Sequence, residues 1–510
     1  MKQRQWKKAA MVLTVIMLAV GFCVTGAQAG EPTPTTLYVN ETGSDTSGDG
    51  TSGNPYATVT KAVSMANSGD IIDVTGTITD SGISIEGKNL TIRSTTGATV
   101  QAAATPETAT DRVFSIVSAT VEMNGLNIKN GKVADELGGG IYNLATLTMT
   151  GCTVSGNQAI GDYANGGGIY NLATLTMTGC TVSGNQATGS AHGGGIYNNN
   201  SGTLTMTDCT VSENQGSWGG GIRGDGSVTM TGCTVSDNQA NLSSGGGVYG
   251  TFGTMLLTNC TFTGNTAYYG GGAVGYEEGG TVTLINCTVA ENTATNSSKG
   301  DGIYISGSEL ILKNTIVANN DTSNFFVDGF TSQGYNLSDN WNSLTIDSTD
   351  ITADPMLNEL SACADGLPVY TLQADSPAID AGTDTEAPLT DQCGQERSGT
   401  TDIGAWEYQG AASPPAAPTD LTATPVSGTQ IDLSWTDNSS DETGFNIYQK
   451  GMLIGTADAD ATSYSDTGLT CERGYAYAVK AVNADGESDS ATATATTGAC
   501  ASAANAAQML

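Results

Sequence analysis

The chain has 510 residues, with 51 acidic side chains against 17 basic ones and a formal net charge of −34. A field of that sign excludes nucleic acid and anionic lipid surfaces as natural partners. Sixty-eight glycines beside eight Phe and five Trp exclude an ordinary aromatic-rich core and suit many short strands joined by tight corners.

At the N-terminus Lys2, Arg4, Lys7 and Lys8 precede an apolar run from Ala9 to Val24, and Ala27-Gln28-Ala29 follows. This order of charge, apolar run and small residues predicts a secretory signal over 1–29 and a mature chain from Gly30. Removing the four leader cations leaves 13 basic residues against 51 acidic ones, a net −38. No later stretch reaches the roughly 18 apolar residues of a membrane helix. The expectation is an exported protein at the cell surface or outside the cell, not an integral membrane protein.

The stretch from Leu37 to Val74 predicts a strand, a Gly/Asp loop and an amphipathic helix over about 58–66, with Val59, Ala62, Val63 and Ala66 on one face. Such a helix closes the open end of a stack of repeats. Asp45 and Asp49 in the loop are weak candidates for calcium, the one cofactor considered; a turn that favours aspartate is the alternative.

Residues 138–159 and 166–187 are identical, GGGIYNLATLTMTGCTVSGNQA. Glycine triplets or near copies start at 138, 166, 193, 219, 245 and 270 and degrade to Gly300-Asp301-Gly302. A second landmark moves with the first: Cys152 and Asn157, then the pairs 180/185, 209/214, 233/238, 260/265 and 287/292, with Asn314 and Asn319 continuing it. Leu147 and Met149 alternate with threonines, as do Cys152 and Val154 with Thr153 and Ser155, and the phase slips at Gly151. Period two means strands, and the slip means a bend that keeps both apolar faces inward. Three strands per repeat, including Gly140-Ile141-Tyr142, predict an all-β parallel β-helix over 35–349, with about ten coils between 70 and 343 stacked ~4.8 Å apart. Successive coils then stack equivalent side chains in columns. Inward asparagines hydrogen-bond along one column, and the cysteines pack as free thiols because parallel side chains give a poor disulfide torsion.

The GGGI element and Phe262-Thr263-Gly264-Asn265 resemble the repeats of polymorphic outer membrane proteins, within the pectate-lyase-like group, a resemblance that implies a right-handed parallel β-helix. The barrel that ends many of those proteins is not recognised here. Farther on, ADPML (353–357), SPAIDAG (376–382), Asp391-Gln392 and DIGAWEY (402–408) resemble a choice-of-anchor Q domain over 350–409. That resemblance implies a surface or secreted protein, with Cys393 inserted as the partner of Cys363. PPAAP ends a stiff linker over 410–418. Residues 419–498 resemble a fibronectin type III β-sandwich, with Trp435 in the core and Leu469 and Tyr475 at a tyrosine corner. Strands reaching the same end of that sandwich bring Cys471 to Cys500, ahead of a tail over 499–510.

Enzymes on β-helices of this kind use clustered acids for calcium or proton transfer and a cation to neutralise a uronate. No Asp-Asp pair is present and basic residues are few along the repeats. The single histidine, His192, falls in a variable connection and reads as a solvated loop residue. Arg223-Gly224-Asp225 occupies the place of Ile-Tyr-Asn and reads as a coincidental tripeptide. More is expected of Tyr142, Tyr170 and Tyr197, stacked on consecutive coils beside Asn143, Asn171 and Asn198. They would present rings and amides outward, of the kind that hold a sugar chain; tyrosines stacked for stability are the alternative. The favoured function is non-catalytic binding or adhesion to polysaccharide or a surface glycan. A polysaccharide lyase or glycoside hydrolase is the runner-up, and no feature sets an oligomeric state.

Overall fold

A computed structural model describes residues 33–295, 299–364, 366–410, 414–440, 442–483 and 486–500. The leader lies outside the described residues. The repeats form a parallel β-helix whose coils from Gly138 to Gly270 each contribute four strands, not three. In the coil that begins at Gly138 these are Ile141–Asn143, Thr146–Thr150, Thr153–Ser155 and Gln158–Ile160. Stacked in register, they build four walls of 10, 12, 12 and 7 parallel strands, here called the tyrosine, methionine, valine and short walls. The short wall was missed because its two- or three-residue strands begin the most variable connection.

The corners explain the phase slips. The residue before each column cysteine is left-handed whatever its identity: Gly151 (φ 58°), Gly179 (58°), Asp208 (51°), Gly232 (64°), Asn259 (50°) and Asn286 (49°). One such residue between two strands reverses which side chains point inward, so Leu147, Met149, Cys152 and Val154 all reach the core. Asn314 (φ 48°) and Asn319 (φ 55°) hold these corner positions too. They do not continue the columns as expected. The cysteine column passes to Thr315, whose Oγ1 accepts from the Cys287 amide at 3.3 Å, and the asparagine column passes to Asn320. The middle residue of each glycine triplet is required by close approach: a Cβ on Gly139 would stand 2.4 Å from the carbonyl oxygens of Gln158 and Gly167.

Two asparagine columns run inside the rod. Asn157, Asn185, Asn214, Asn238, Asn265 and Asn292 form the expected one, each passing Nδ2 to the next Oδ1 at 2.9–3.0 Å. The second consists of Asn143, Asn171 and Asn198, linked at 2.7 Å and fully buried. Their expected outward, ligand-binding placement is corrected: in a strand of alternating faces Ile141 and Asn143 share the inner side, and only Tyr142 points out. The six column cysteines are free and buried. Each thiol lies against the carbonyl two residues before it, at 3.2–3.5 Å. Burial holds the Cys233 and Cys260 thiols well above the ordinary range, which keeps them unreactive.

The helix Val59–Met65, capped by the Thr58 hydroxyl, buries Val59, Ala62 and Val63 against the first coils. Asp45 receives hydrogen bonds from the Ala57 and Thr58 amides and the Thr58 hydroxyl, and Asp49 from the amide and hydroxyl of Thr51. Their carboxylates organise the loop and the helix start.

Residues 354–409 do not extend the rod beyond its last coil. They fold back along the outer side of the valine wall, with the hairpin Leu357–Ala362 and Pro368–Leu372 and the expected Cys363–Cys393 disulfide, Cα atoms 5.2 Å apart. Thr234 donates to the Pro368 carbonyl, Thr261 to Gln392 Oε1, and Thr288 Oγ1 accepts from the Ala405 amide. These outward threonines are consequently buried. Arg397 and Glu407 form an enclosed ion pair at 2.8 Å, and Arg397 also donates to Asn259 of the rod. The last domain is a β-sandwich from Thr419–Pro425 to Ala491–Thr496. Trp435 packs on Phe445, the Tyr475 hydroxyl accepts from the Thr470 amide at 2.8 Å, and Cys471 joins Cys500.

Candidate functional site

The tyrosine wall carries one outward column in strict register: Tyr142, Tyr170, Tyr197, Arg223, Tyr249, Gly275, Tyr304 and Phe326. The rings of Tyr142 and Tyr170 are tilted at 5.7 Å, and those of Tyr170 and Tyr197 are stacked at 5.2 Å. Stacking and neighbouring loops leave Tyr170 only 6% and Tyr197 only 8% exposed. The column is therefore less open than expected, with Tyr142 half-buried at its start, and it is interrupted where the tyrosines give way.

That place is Arg223. Its guanidinium lies 4.9 Å from the Tyr249 ring centre, 5.5 Å from that of Trp218 and 5.9 Å from that of Tyr197. Asp225, two residues on and so on the same face, accepts from Arg223 Nε at 2.9 Å, from the Tyr197 hydroxyl at 2.8 Å and from Thr251 Oγ1 at 2.8 Å. One coil further, Tyr249 donates to Glu277 at 2.8 Å. Burial, followed by the adjacent carboxylates Asp225 and Glu277, pushes the Tyr197 and Tyr249 hydroxyls above the ordinary range, so both remain donors. Gly275 leaves room for this arrangement: a Cβ there would stand 3.0 Å from Cδ2 of Tyr249.

The result is a cleft of about 390 Å³, with His192 and Trp218 on one lip and Asn200, Phe252 and Glu278 on the other. Phe252 is 65% exposed and left-handed at φ 61°. The register places Glu278 and Gly307 at the same point of the following coils, with φ of 66° and 65°. An aromatic ring thus occupies a turn position suited to glycine and stays largely exposed there.

His192 lies 6.5 Å from Tyr197 and 6.0 Å from Trp218, ring centre to ring centre. It belongs to this cleft and not to a solvated loop. Burial, with Arg223 opposite, lowers its pKa to about 4. As the chain has one histidine, its imidazole proton signals should titrate in an NMR series with a midpoint near 4; a midpoint near 6.5 would place the ring in solvent. Because the unfolded value of 6.5 is the higher one, the unfolded chain binds the proton first. Stability conferred by the neutral ring is therefore complete above about pH 6.5 and declines as pH falls toward 4.

Of the expected site residues, the three tyrosines share one wall and lead into the cleft, and the three asparagines lie behind them in the core. His192, Arg223 and Asp225 were set aside in the sequence, and Trp218, Tyr249, Phe252 and Glu277 drew no attention. Register alone brings them together, since each is ordinary within its own coil.

This architecture defines a right-handed parallel β-helix protein with a fibronectin type III module. Residues 194–353 match the family model of the right handed beta helix region and residues 416–497 that of the fibronectin type III domain. Among curated proteins, the chain is similar to Exoglucanase B of Cellulomonas fimi, 42% identical over 74 residues, covering 14% of this chain and 7% of the relative. It is also similar to an alpha-amylase of Niallia circulans, 46% identical over 75 residues and covering 14% and 6%. Chitinase Chi52 of Paenibacillus xylanexedens is 34% identical over 94 residues, covering 16% and 17%. The chain thus spans less than a fifth of the length of each of these relatives. Among solved structures, the pectate lyase Pel9A aligns with 74% of this chain and 98% of its own at a TM-score of 0.47 and 17% identity. Among the described residues no helix is long and apolar enough to cross a membrane.

Proposed function

We propose that the protein is an extracellular glycan-binding protein that holds a polysaccharide along the tyrosine wall, with the cleft around Arg223 as the principal contact. The observation that carries this reading is Phe252, an exposed ring kept in a left-handed turn at the rim of a cleft lined by Trp218, Arg223 and the side chains of Asn199 and Asn200. Flat apolar faces beside a few fixed polar groups suit sugar rings, which are apolar on their faces and hydroxylated at their edges. Fibronectin-like stretches shared with an exoglucanase, an alpha-amylase and a chitinase support work on polysaccharide. Two disulfides support an oxidising, extracellular setting.

Replacing Phe252 by glycine separates binding from folding. The variant is expected to be more stable by about 1 kcal/mol, because the left-handed penalty disappears, while retention on immobilised polysaccharide drops. Unfolding midpoints and a retention panel measure both. Unchanged retention of every glycan that the parent binds would remove Phe252, and the cleft with it, from the reading.

A second reading, a polysaccharide lyase or glycoside hydrolase at the same cleft, is favoured by His192. Its imidazole is neutral above about pH 4, and its buried Nδ1 has no protein partner, which leaves a nitrogen able to accept a proton. New unsaturated or reducing ends in the same panel, lost in His192→Ala, would establish it; retention without cleavage leaves the binding role.

A further inference from the structure

The charge of the cleft identifies the kind of sugar that it suits. Arg223 is the one cation among the lining residues, and Asp225 neutralises it at 2.9 Å. Glu277 and Glu278 then remain without a cationic partner in the cleft: Glu277 is held by the Tyr249 hydroxyl, and Glu278 is exposed on the rim beside Phe252. His192 adds no charge at neutral pH. Around the cleft the whole chain carries −34. A uronate chain brings a carboxylate on every residue into this field and meets a guanidinium that is already paired. An ammonium is attracted by what the cleft leaves without a cation, the carboxylates of Glu277 and Glu278, and by the exposed ring of Phe252.

We propose that the cleft selects glycans bearing free amino groups, that is, chains of amino sugars at least partly without N-acetyl groups, over their N-acetylated and uronic acid counterparts. The proposal rests on the glycan-binding reading above and names its ligand class. Glu278 is the specificity residue, reaching the ammonium from the rim, and Glu277 holds the second charge behind it. Phe252 and Trp218 supply surfaces that any sugar ring can use.

The test uses the full chain and calorimetric titration with three size-matched oligosaccharides: glucosamine, N-acetylglucosamine and galacturonic acid, at a pH where the amines are protonated. The glucosamine oligomer is expected to bind most tightly, with affinity falling as salt rises. Glu278→Gln should weaken it about three- to fivefold, as expected for loss of one partly exposed ion pair, and leave the N-acetylated oligomer unaffected. Glu309→Gln, on the separate methionine wall, controls for the general acidity of the protein and should change nothing. Equal loss in Glu309→Gln and Glu278→Gln, or tighter binding of the galacturonic oligomer, would overturn the proposal. Equal affinity for the amine and its acetylated twin, with both lost in Phe252→Gly, would overturn it while the glycan-binding reading survived. Binding of all three unaffected by Phe252→Gly would remove both.

Discussion

Asn214→Leu should lower the stability of the β-helix by about 4 kcal/mol, the largest single effect expected in the rod. The side chain is nearly isosteric, so the cost is one of hydrogen bonding. Asn214 Oδ1 accepts from both the backbone amide and the side chain of Asn185, at 3.0 and 2.9 Å, and its Nδ2 donates to the Val182 carbonyl and to Asn238 Oδ1, at 2.8 and 3.0 Å. Leucine leaves the Asn185 backbone amide without its partner and takes one bond each from the Val182 carbonyl, from Asn185 Nδ2, which keeps the Val154 carbonyl, and from Asn238 Oδ1, which keeps the Asn214 backbone amide; an orphaned buried group costs about 1–3 kcal/mol and each further lost bond about 1 kcal/mol. Cys209→Ala, one column away in the same coil, is the comparison. The thiol is a weak donor, and its replacement should cost only about 1 kcal/mol. Denaturant midpoints of the two variants decide the matter: if Asn214→Leu costs no more than Cys209→Ala, the column of amides is not what binds the coils together.

Arg397→Leu should detach the segment 354–409 from the valine wall. The guanidinium bonds Glu407 at 2.8 Å and both Asn259 and the Gly404 carbonyl at 3.1 Å, with side-chain exposures of 4% for the arginine and 1% for the glutamate. Deleting the cation leaves a carboxylate enclosed with only the Ser398 and Asp402 amides to satisfy it, a loss of about 3–5 kcal/mol. Amide exchange should accelerate in residues 368–372 and 401–407, while the coils over 141–183 and the β-sandwich keep their protection. Removing both charges, in Arg397→Leu with Glu407→Leu, should recover part of the loss. Unaltered exchange in the single variant would mean that the segment is held by apolar packing and the disulfide instead.

The solenoid was legible because a coil is a local object. Strand alternation, the left-handed corner and the column residue all lie within one repeat, and the repeats display them in succession. The disulfides and the tyrosine corner were legible through resemblance. What escaped notice was non-local or was judged by polarity alone. The alternation of Ile141, Tyr142 and Asn143 already implies that the asparagine faces inward; reading it as exposed set residue type above strand geometry. The folded-back segment depends on contacts such as Gln392 with Thr234, 158 positions apart, for which no local pattern exists. The cleft escaped for a related reason. Arg223 appears as a defect in the repeat until the register sets it between Tyr197 and Tyr249, where a break in a stack of rings becomes an opening.

The grip of residues 354–409 is confined to part of the rod. Their hydrogen bonds reach Thr234, Asn259, Thr261, Thr263, Asn286, Thr288 and Asn314, whereas the two identical windings over 138–187 precede all of these. Recombination between such duplicates can add or excise a whole winding without breaking any of these hydrogen bonds, and Gly366 and Leu367, which share a cavity with Thr178 to Thr181 of the second copy, would meet the same residues in its replacement. Each event would shift the cleft around Arg223 by about 4.8 Å relative to the capped end, so the ancestral duplication acts as an adjustable spacer whose length evolution can reset in fixed increments.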